Sequence, residues 1–361
     1  LPKLRLWVSN GLMHLRSATF SALTALALLC GVGCAVKPSY TPVSEASLRK
    51  LEKQVKSSEK LGITQKGGKI SYPAKVEGEP TATVSLAVNT VIPTFRCWLS
   101  GSKEPTALMF DTGAQLSLIE ADTAIKHGVG IIDPKTTNIT VMGVLGKEKM
   151  FGGVFSPLSF GRTQVTRQLC LVRLHRNETR ALGPLLRERV GMDLLGFDLP
   201  RQWCRFVTVD YPANRLTFGF RENFKSPAKG KGVWKIPLII ESGLPHVVLE
   251  ANGIRWLALV DTGSAFGVEI DETLAAELDV LKVATPVQPG LINTAIGGMS
   301  DASEAGVKIS SLKRLNGLGP PHTDAEIAIT GGGARVGSFF FQDYRTTFDL
   351  KNQTLWLERK P

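Results

Sequence analysis

The tripeptide Asp111-Thr112-Gly113 recurs as Asp261-Thr262-Gly263, 150 positions further on, and each copy closes an apolar run, "ALMF" in the first and "LALV" in the second. A repeat of this kind constrains the architecture before any local assignment, because each copy implies the same small set of neighbouring elements. Two later landmarks follow in the same order. Arg189-Val190-Gly191 recurs as Arg335-Val336-Gly337, 146 positions on, and "VDYPANRLTF" from Val209 to Phe218 matches "FDLKNQTLWL" from Phe348 to Leu357. The chain therefore reads as two similar halves.

Both halves read as β structure. In the second, "HVVLEANGIRWLALVDTG" is a strand, an Asn252-Gly253 turn and a returning strand, since Asn-Gly tolerates the positive φ angles of a two-residue hairpin. In the first, apolar runs around Phe95–Leu99 and Ala107–Phe110 flank the polar turn "SGSKEP". Each aspartate should then end the returning strand of a hairpin. Short helical signals follow at Ala121–His127 and Glu272–Leu278, and after each comes a Gly-rich stretch, "VMGVLGKEKMFGG" or "IGGMSDASEAG", that suits a hairpin or a surface turn. The expected fold class is all-β with short helices, built as two β-barrel lobes.

With 361 residues, 43% hydrophobic and 21% charged, the chain has the balance of a folded globular protein and not of a disordered or polytopic one. The N-terminus differs. Lys3, Arg5 and Arg16 precede the uncharged "FSALTALALLCGVG", the layout of a bacterial export signal. Cys34, after Gly31-Val32-Gly33, resembles a lipoprotein lipidation site and would tether the chain to a membrane; cleavage after Ala35 and an uncleaved anchor are the alternatives. All three put the body in the periplasm or cell envelope. The expected divisions are 1–34 export segment, 35–80 basic tether, 81–222 first lobe, 223–233 polar linker and 234–361 second lobe.

The formal net charge of +11 is concentrated between Arg49 and Lys75 and at Lys225, Lys229, Lys231 and Lys235. Only Tyr72 and Trp234 fall among these charges, too few to form a stacking array, so the pattern reads as solvated linker and implies no nucleic-acid partner. An oxidising compartment would allow one disulfide among Cys97, Cys170 and Cys204, leaving one thiol. No CxxC or HExxH motif occurs, and His14, His127, His175, His246 and His322 are scattered, so no metal site is expected.

Two carboxylates that share a site have a defined chemistry. If they face each other across one water, both cannot ionise, and the pair keeps one proton over a range of pH. The ionised oxygen can act as general base on the water while the protonated one donates to a carbonyl. The flanking residues suit this. Gly113 and Gly263 lack the Cβ that would block close approach, and the Thr112 and Thr262 hydroxyls can bond across the join.

These residues resemble the aspartic peptidases, and within them the retropepsin-like branch. The first half carries "DTGA" and "VGMDLL"; the second carries "DTGS" and ends in "RVGSFFFQDYRTTFDL", similar to the closing segment of bacterial exported members. The resemblance covers the chain from about Thr81 onward. It implies that Asp111 and Asp261 are the catalytic pair, that Thr112, Gly113, Ala114, Thr262, Gly263 and Ser264 form the supporting loops, and that Val190-Gly191 and Val336-Gly337 back them. It further implies a monomer that hydrolyses a polypeptide without cofactor or metal. The chain departs from the family at Arg189 and Arg335, which stand where an apolar residue is usual, and in lacking a tyrosine in either Gly-rich stretch. Those departures leave open a cell-envelope peptide-binding or scaffolding protein that keeps the fold with little activity.

Overall fold

The computed structural model describes residues 37–361 apart from 58–59, 62, 67–68, 72–73, 89, 135–138, 144, 182–185, 229, 289–291, 296–297 and 360–361. The export segment with Cys34, and Ala35 beside it, lie outside the described residues. Among the described residues no helix is long and apolar enough to cross a membrane. Strands dominate and the helices are short, as the alternating pattern predicts.

Strand pairing follows chain position. A twelve-stranded sheet is drawn entirely from residues between Val55 and Gly196, and an eight-stranded sheet entirely from residues between Ile239 and Gly337. A six-stranded sheet joins the halves. It takes Thr81–Ser85, Arg215–Gly219 and Phe206–Asp210 from the first, then Tyr344–Asp349, Thr354–Arg359 and Val233–Pro237 from the second. At the joint Phe206–Asp210 runs antiparallel to Tyr344–Asp349, and the Thr208 and Thr347 hydroxyls lie 2.8 Å apart.

The hairpins form where turn chemistry allows them. Leu244–Ala251 alternates half-buried and buried residues, turns through Asn252 (φ 51°) and Gly253 (φ 78°), and returns as Ile254–Asp261. Thr94–Leu99 and Thr106–Asp111 make the corresponding pair in the first half. Helix Ala121–His127 stops at Gly128, which adopts φ 64°, and helix Glu272–Glu277 ends with its cap at Leu278. The Gly-rich stretches are hairpins, Ile139–Gly143 with Gly146–Phe155 and Ile292–Ala295 with Gly298–Asp301. Beneath the Asp111 strand, Phe110 meets Phe218 edge-on at 5.9 Å, and Phe218 lies 4.8 Å from Phe160. Burying such side chains fixes the strand from below, each by about 1.5–3 kcal/mol.

Two expectations are corrected. The segment 35–80 is no tether, because its described residues are built into the first half. Ser44 caps helix Glu45–Glu52 through its Oγ, 3.2 Å from the Ser47 nitrogen, and Leu51 is fully buried beside helix Ala121–His127. Val55–Lys56 then runs parallel to Gly130–Ile132, and Lys75–Glu77 pairs with Thr163–Thr166. The cationic residues Arg49 and Lys50 face solvent while Val43, Leu61 and Ile63 turn inward. Cys97, Cys170 and Cys204 form no bridge and are all free thiols.

One addition has no counterpart among the described residues of the second half. The strands His175–Ala181 and Leu186–Val190 form an antiparallel pair, and Lys37–Pro42 pairs with its outer edge. The same Lys37–Pro42 strand lies against Gly298–Asp301 of the second half.

Candidate active site

Each aspartate leaves its sheet at an equivalent place. Thr106–Asp111 lies parallel to Leu194–Gly196 with Asp111 opposite Gly196. Ile254–Asp261 lies parallel to Arg335–Gly337 with Asp261 opposite Gly337. In both, the backbone then turns so that two N–H groups donate to the Asp side chain: Gly113 (2.8 Å) and Ala114 (3.1 Å) to Asp111 Oδ1, Gly263 (2.9 Å) and Ser264 (3.2 Å) to Asp261 Oδ1. Such bonds orient each carboxyl and leave its other oxygen free to point elsewhere.

The two turns meet face to face. The Thr112 hydroxyl donates to the Val260 carbonyl at 2.6 Å and accepts from the Thr262 nitrogen at 3.0 Å; the Thr262 hydroxyl donates to the Phe110 carbonyl at 2.6 Å and accepts from the Thr112 nitrogen at 3.0 Å. Both threonines are fully buried, so the four bonds are shielded from water. The glycines are obligatory here. A Cβ on Gly113 would sit 2.5 Å from Asp261 Cγ, and one on Gly263 2.4 Å from Asp111 Cγ.

Burial is the largest influence on Asp111 and raises its carboxyl above the ordinary range; the charge of Asp261 and a hydrogen bond with it push the same way, and the Gly113 and Ala114 N–H groups oppose them. Asp111 therefore keeps its proton well above the pH at which a solvated aspartic acid loses its own. Asp261 is 7% exposed and Asp111 is half-buried, so the pair keeps limited access to solvent.

The structure brings Thr112, Gly113, Ala114, Thr262, Gly263, Ser264, Val336 and Gly337 together at this centre and leaves Val190-Gly191 out. Strand Leu186–Val190 pairs with His175–Ala181 in the added hairpin, and Gly191 has no heavy atom within 4 Å of where its Cβ would be. The segment behind Asp111 is Leu195-Gly196. A Cβ on Gly196 would meet the Leu116 and Ala114 carbonyls at 2.7 and 2.9 Å, as one on Gly337 would meet the Phe266 carbonyl at 2.3 Å and the Ser264 carbonyl at 2.9 Å. The identity of the two Arg-Val-Gly tripeptides is thus no guide to position. Leu194, not Arg189, is the counterpart of Arg335.

Three further groups support the centre without a motif to announce them. Glu269 accepts from the Ser264 hydroxyl and from Thr330 Oγ1 (3.1 Å). The Tyr211 hydroxyl lies 2.8 Å from Ser338 Oγ, which donates to the Thr262 carbonyl at 2.7 Å. Asp198 accepts from Ser117 Oγ (2.9 Å) and Gln168 Nε2 (2.7 Å), and Ser117 Oγ in turn accepts from the Gly196 nitrogen at 3.1 Å. Asp198 thereby ties the loop after Asp111 to the strand behind it.

Burial raises the Asp198 carboxyl to about 6 despite those hydrogen bonds. An aspartate in an unfolded chain titrates near ~3.9. Between the two values the folded state keeps a proton that the unfolded state has released, so this group's contribution to stability falls as pH rises from about 4 to about 6. Melting temperatures measured across that interval should decline less in Asp198→Asn than in the wild type. Parallel declines would assign the dependence to other groups.

Fold and site together define a β protein whose halves meet at a paired-aspartate centre. No protein-family model matches the chain, and none of the curated proteins compared with it matches either.

Proposed function

We propose that the protein is an aspartic endopeptidase, two-lobed and retropepsin-like, that hydrolyses peptide bonds with water activated between Asp111 and Asp261. One observation carries this reading: two carboxyls that each lie against the glycine of the other half, on crossed Asp-Thr-Gly turns locked by the reciprocal threonine bonds. A solitary aspartate at a turn needs none of this construction. One carboxyl takes the water's proton as its oxygen attacks the scissile carbon, and the other gives its proton to the carbonyl oxygen. In this reading an extended polypeptide lies across the paired aspartates and pairs its backbone with strand edges. The body of the enzyme works in the periplasm or cell envelope, with Cys34 as the candidate point of attachment.

A second reading, an envelope peptide-binding protein with little turnover, draws on Arg335, whose Nη1 already donates to Asp261 Oδ2 at 3.2 Å. Incubating the protein with a mixed peptide library from acid to neutral pH separates the two. The peptidase reading expects a bell-shaped rate, inhibition by a statine peptide, indifference to chelators and serine reagents, and a specific activity that does not fall on dilution. Peptide capture without cleavage at any pH would favour the second reading, and cleavage abolished by a chelator and restored by zinc would overturn the first.

A further inference from the structure

The two halves of the centre differ at one cross-strand pair. In the first half Leu118 stands opposite Leu194, both buried in an apolar cluster with Met150, Leu171 and Met192. In the second half the corresponding strands are opposed through Glu269 and Arg335. Their side chains are only 6% and 14% exposed, so an ion pair occupies a place where apolar packing serves the other half.

Arg335 connects that pair to the dyad. Its Nη1 donates to Asp261 Oδ2 at 3.2 Å, its Nη2 donates to the Gly332 carbonyl, and its Nε lies 3.7 Å from Glu269 Oε1. Glu269 is braced by Ser264 and Thr330. Asp111 has no such neighbour: among the described residues no cationic side chain forms an ion pair with it. The charged and titratable groups facing Asp261 are therefore Asp111 on Thr106–Asp111, Glu269 on Val268–Ile270, Arg335 on Arg335–Gly337, and the Tyr211 phenol beyond Phe206–Asp210.

We propose that Arg335 breaks the equivalence of the two carboxyls, holding Asp261 as the anion and leaving the shared proton on Asp111, with Glu269 positioning the guanidinium. This rests on the peptidase reading and deepens it by assigning the roles. A cation in contact with one member of a pair favours negative charge on that member first. The raised carboxyl of Asp111 agrees with its keeping the proton. Burial also raises Glu269 against the opposing influence of Arg335, so at acid pH the arginine's charge is committed increasingly to Asp261.

The steps follow. Asp261 accepts a proton from water as the water oxygen bonds to the scissile carbon, and Asp111 passes its proton to the carbonyl oxygen, giving a geminal diol. As the C–N bond breaks, the amine nitrogen takes the proton from Asp261, and Asp111 recovers one from a diol hydroxyl. Arg335 touches no reacting atom; it is a positioning residue.

The test compares pH profiles of kcat and kcat/KM for the wild type, Arg335→Lys, and the double variant R335L/E269L. The double variant places a leucine pair where the first half has one and removes Glu269 together with its own partner, so that Asp261 alone loses its cation. Loss of Arg335 should move the acid limb of the bell up by about one pH unit or more, with a roughly tenfold loss below it and little change in KM. The lysine variant should keep most of the limb's position. A folded double variant with an unmoved acid limb overturns the proposal. Should the variant not fold, carboxyl carbon NMR of the wild-type protein decides: Asp261 is expected to ionise before Asp111, and the reverse order overturns the assignment. If the wild type and Asp111→Asn are equally inactive on every peptide, the peptidase reading fails, whereas the order of ionisation still reports on Arg335.

Discussion

Asp111→Asn is expected to lower kcat by about 10³- to 10⁴-fold with little change in KM, and Asp261→Asn to do the same. Asparagine keeps the side-chain oxygen that accepts from Gly113 and Ala114, or from Gly263 and Ser264, so the turns should hold and the loss should be chemical. The double variant should be no worse than either single one, because the carboxyls act as a unit. Stability should separate the two. Asn at 111 removes an acid that burial already disfavours in its charged form, so the melting temperature should hold or rise toward neutral pH. Asn at 261 takes the anion away from Arg335 and should lower it. Either single variant with wild-type turnover would end the dyad mechanism.

Thr112→Val is expected to cost about 2–6 kcal/mol, since it leaves the buried Thr262 N–H and the Val260 carbonyl without partners, each worth about 1–3 kcal/mol. Valine has nearly the same shape, so cavity formation contributes little. Thr262→Val strands the Thr112 N–H and the Phe110 carbonyl in the same way. For a chain of this size each kcal/mol moves the melting temperature by roughly 2 °C or more, so either variant should melt several degrees lower. Thr112→Ser keeps the hydroxyl and should lose far less. Thermal melts of the three proteins measure this directly, and a valine variant as stable as the serine one would mean that the threonine bonds hold nothing together.

Much of the fold was legible because short-range signals agreed with one another. The Asn252-Gly253 turn, the helix ending at Gly128 and the two Asp-Thr-Gly turns are each set by a few adjacent residues. Three features were hidden for different reasons. The charges of Arg49 and Lys50 masked a buried stripe at Val43, Leu51, Leu61 and Ile63, so a docked segment read as a tether. Arg189-Val190-Gly191 matched its later copy by identity, but the added hairpin displaces it, and the plainer Leu194-Leu195-Gly196 takes the place behind Asp111. Glu269 and Arg335 meet only because antiparallel pairing sets them opposite each other, and no local pattern reports that.

The six-stranded sheet governs when the centre can come into being. A growing polypeptide offers its early strands first, and domains tend to fold as they emerge. Here Thr81–Ser85, Phe206–Asp210 and Arg215–Gly219 can associate while the remainder is still being translated, but Phe206–Asp210 keeps a bare edge until Tyr344–Asp349 arrives to cover it. Asp111 likewise waits for the turn that bears Asp261, which is made before that covering strand. A ribosome-bound fragment that ends before Asp261 therefore carries half a dyad, and its open strand edge persists until synthesis of the later half is almost done.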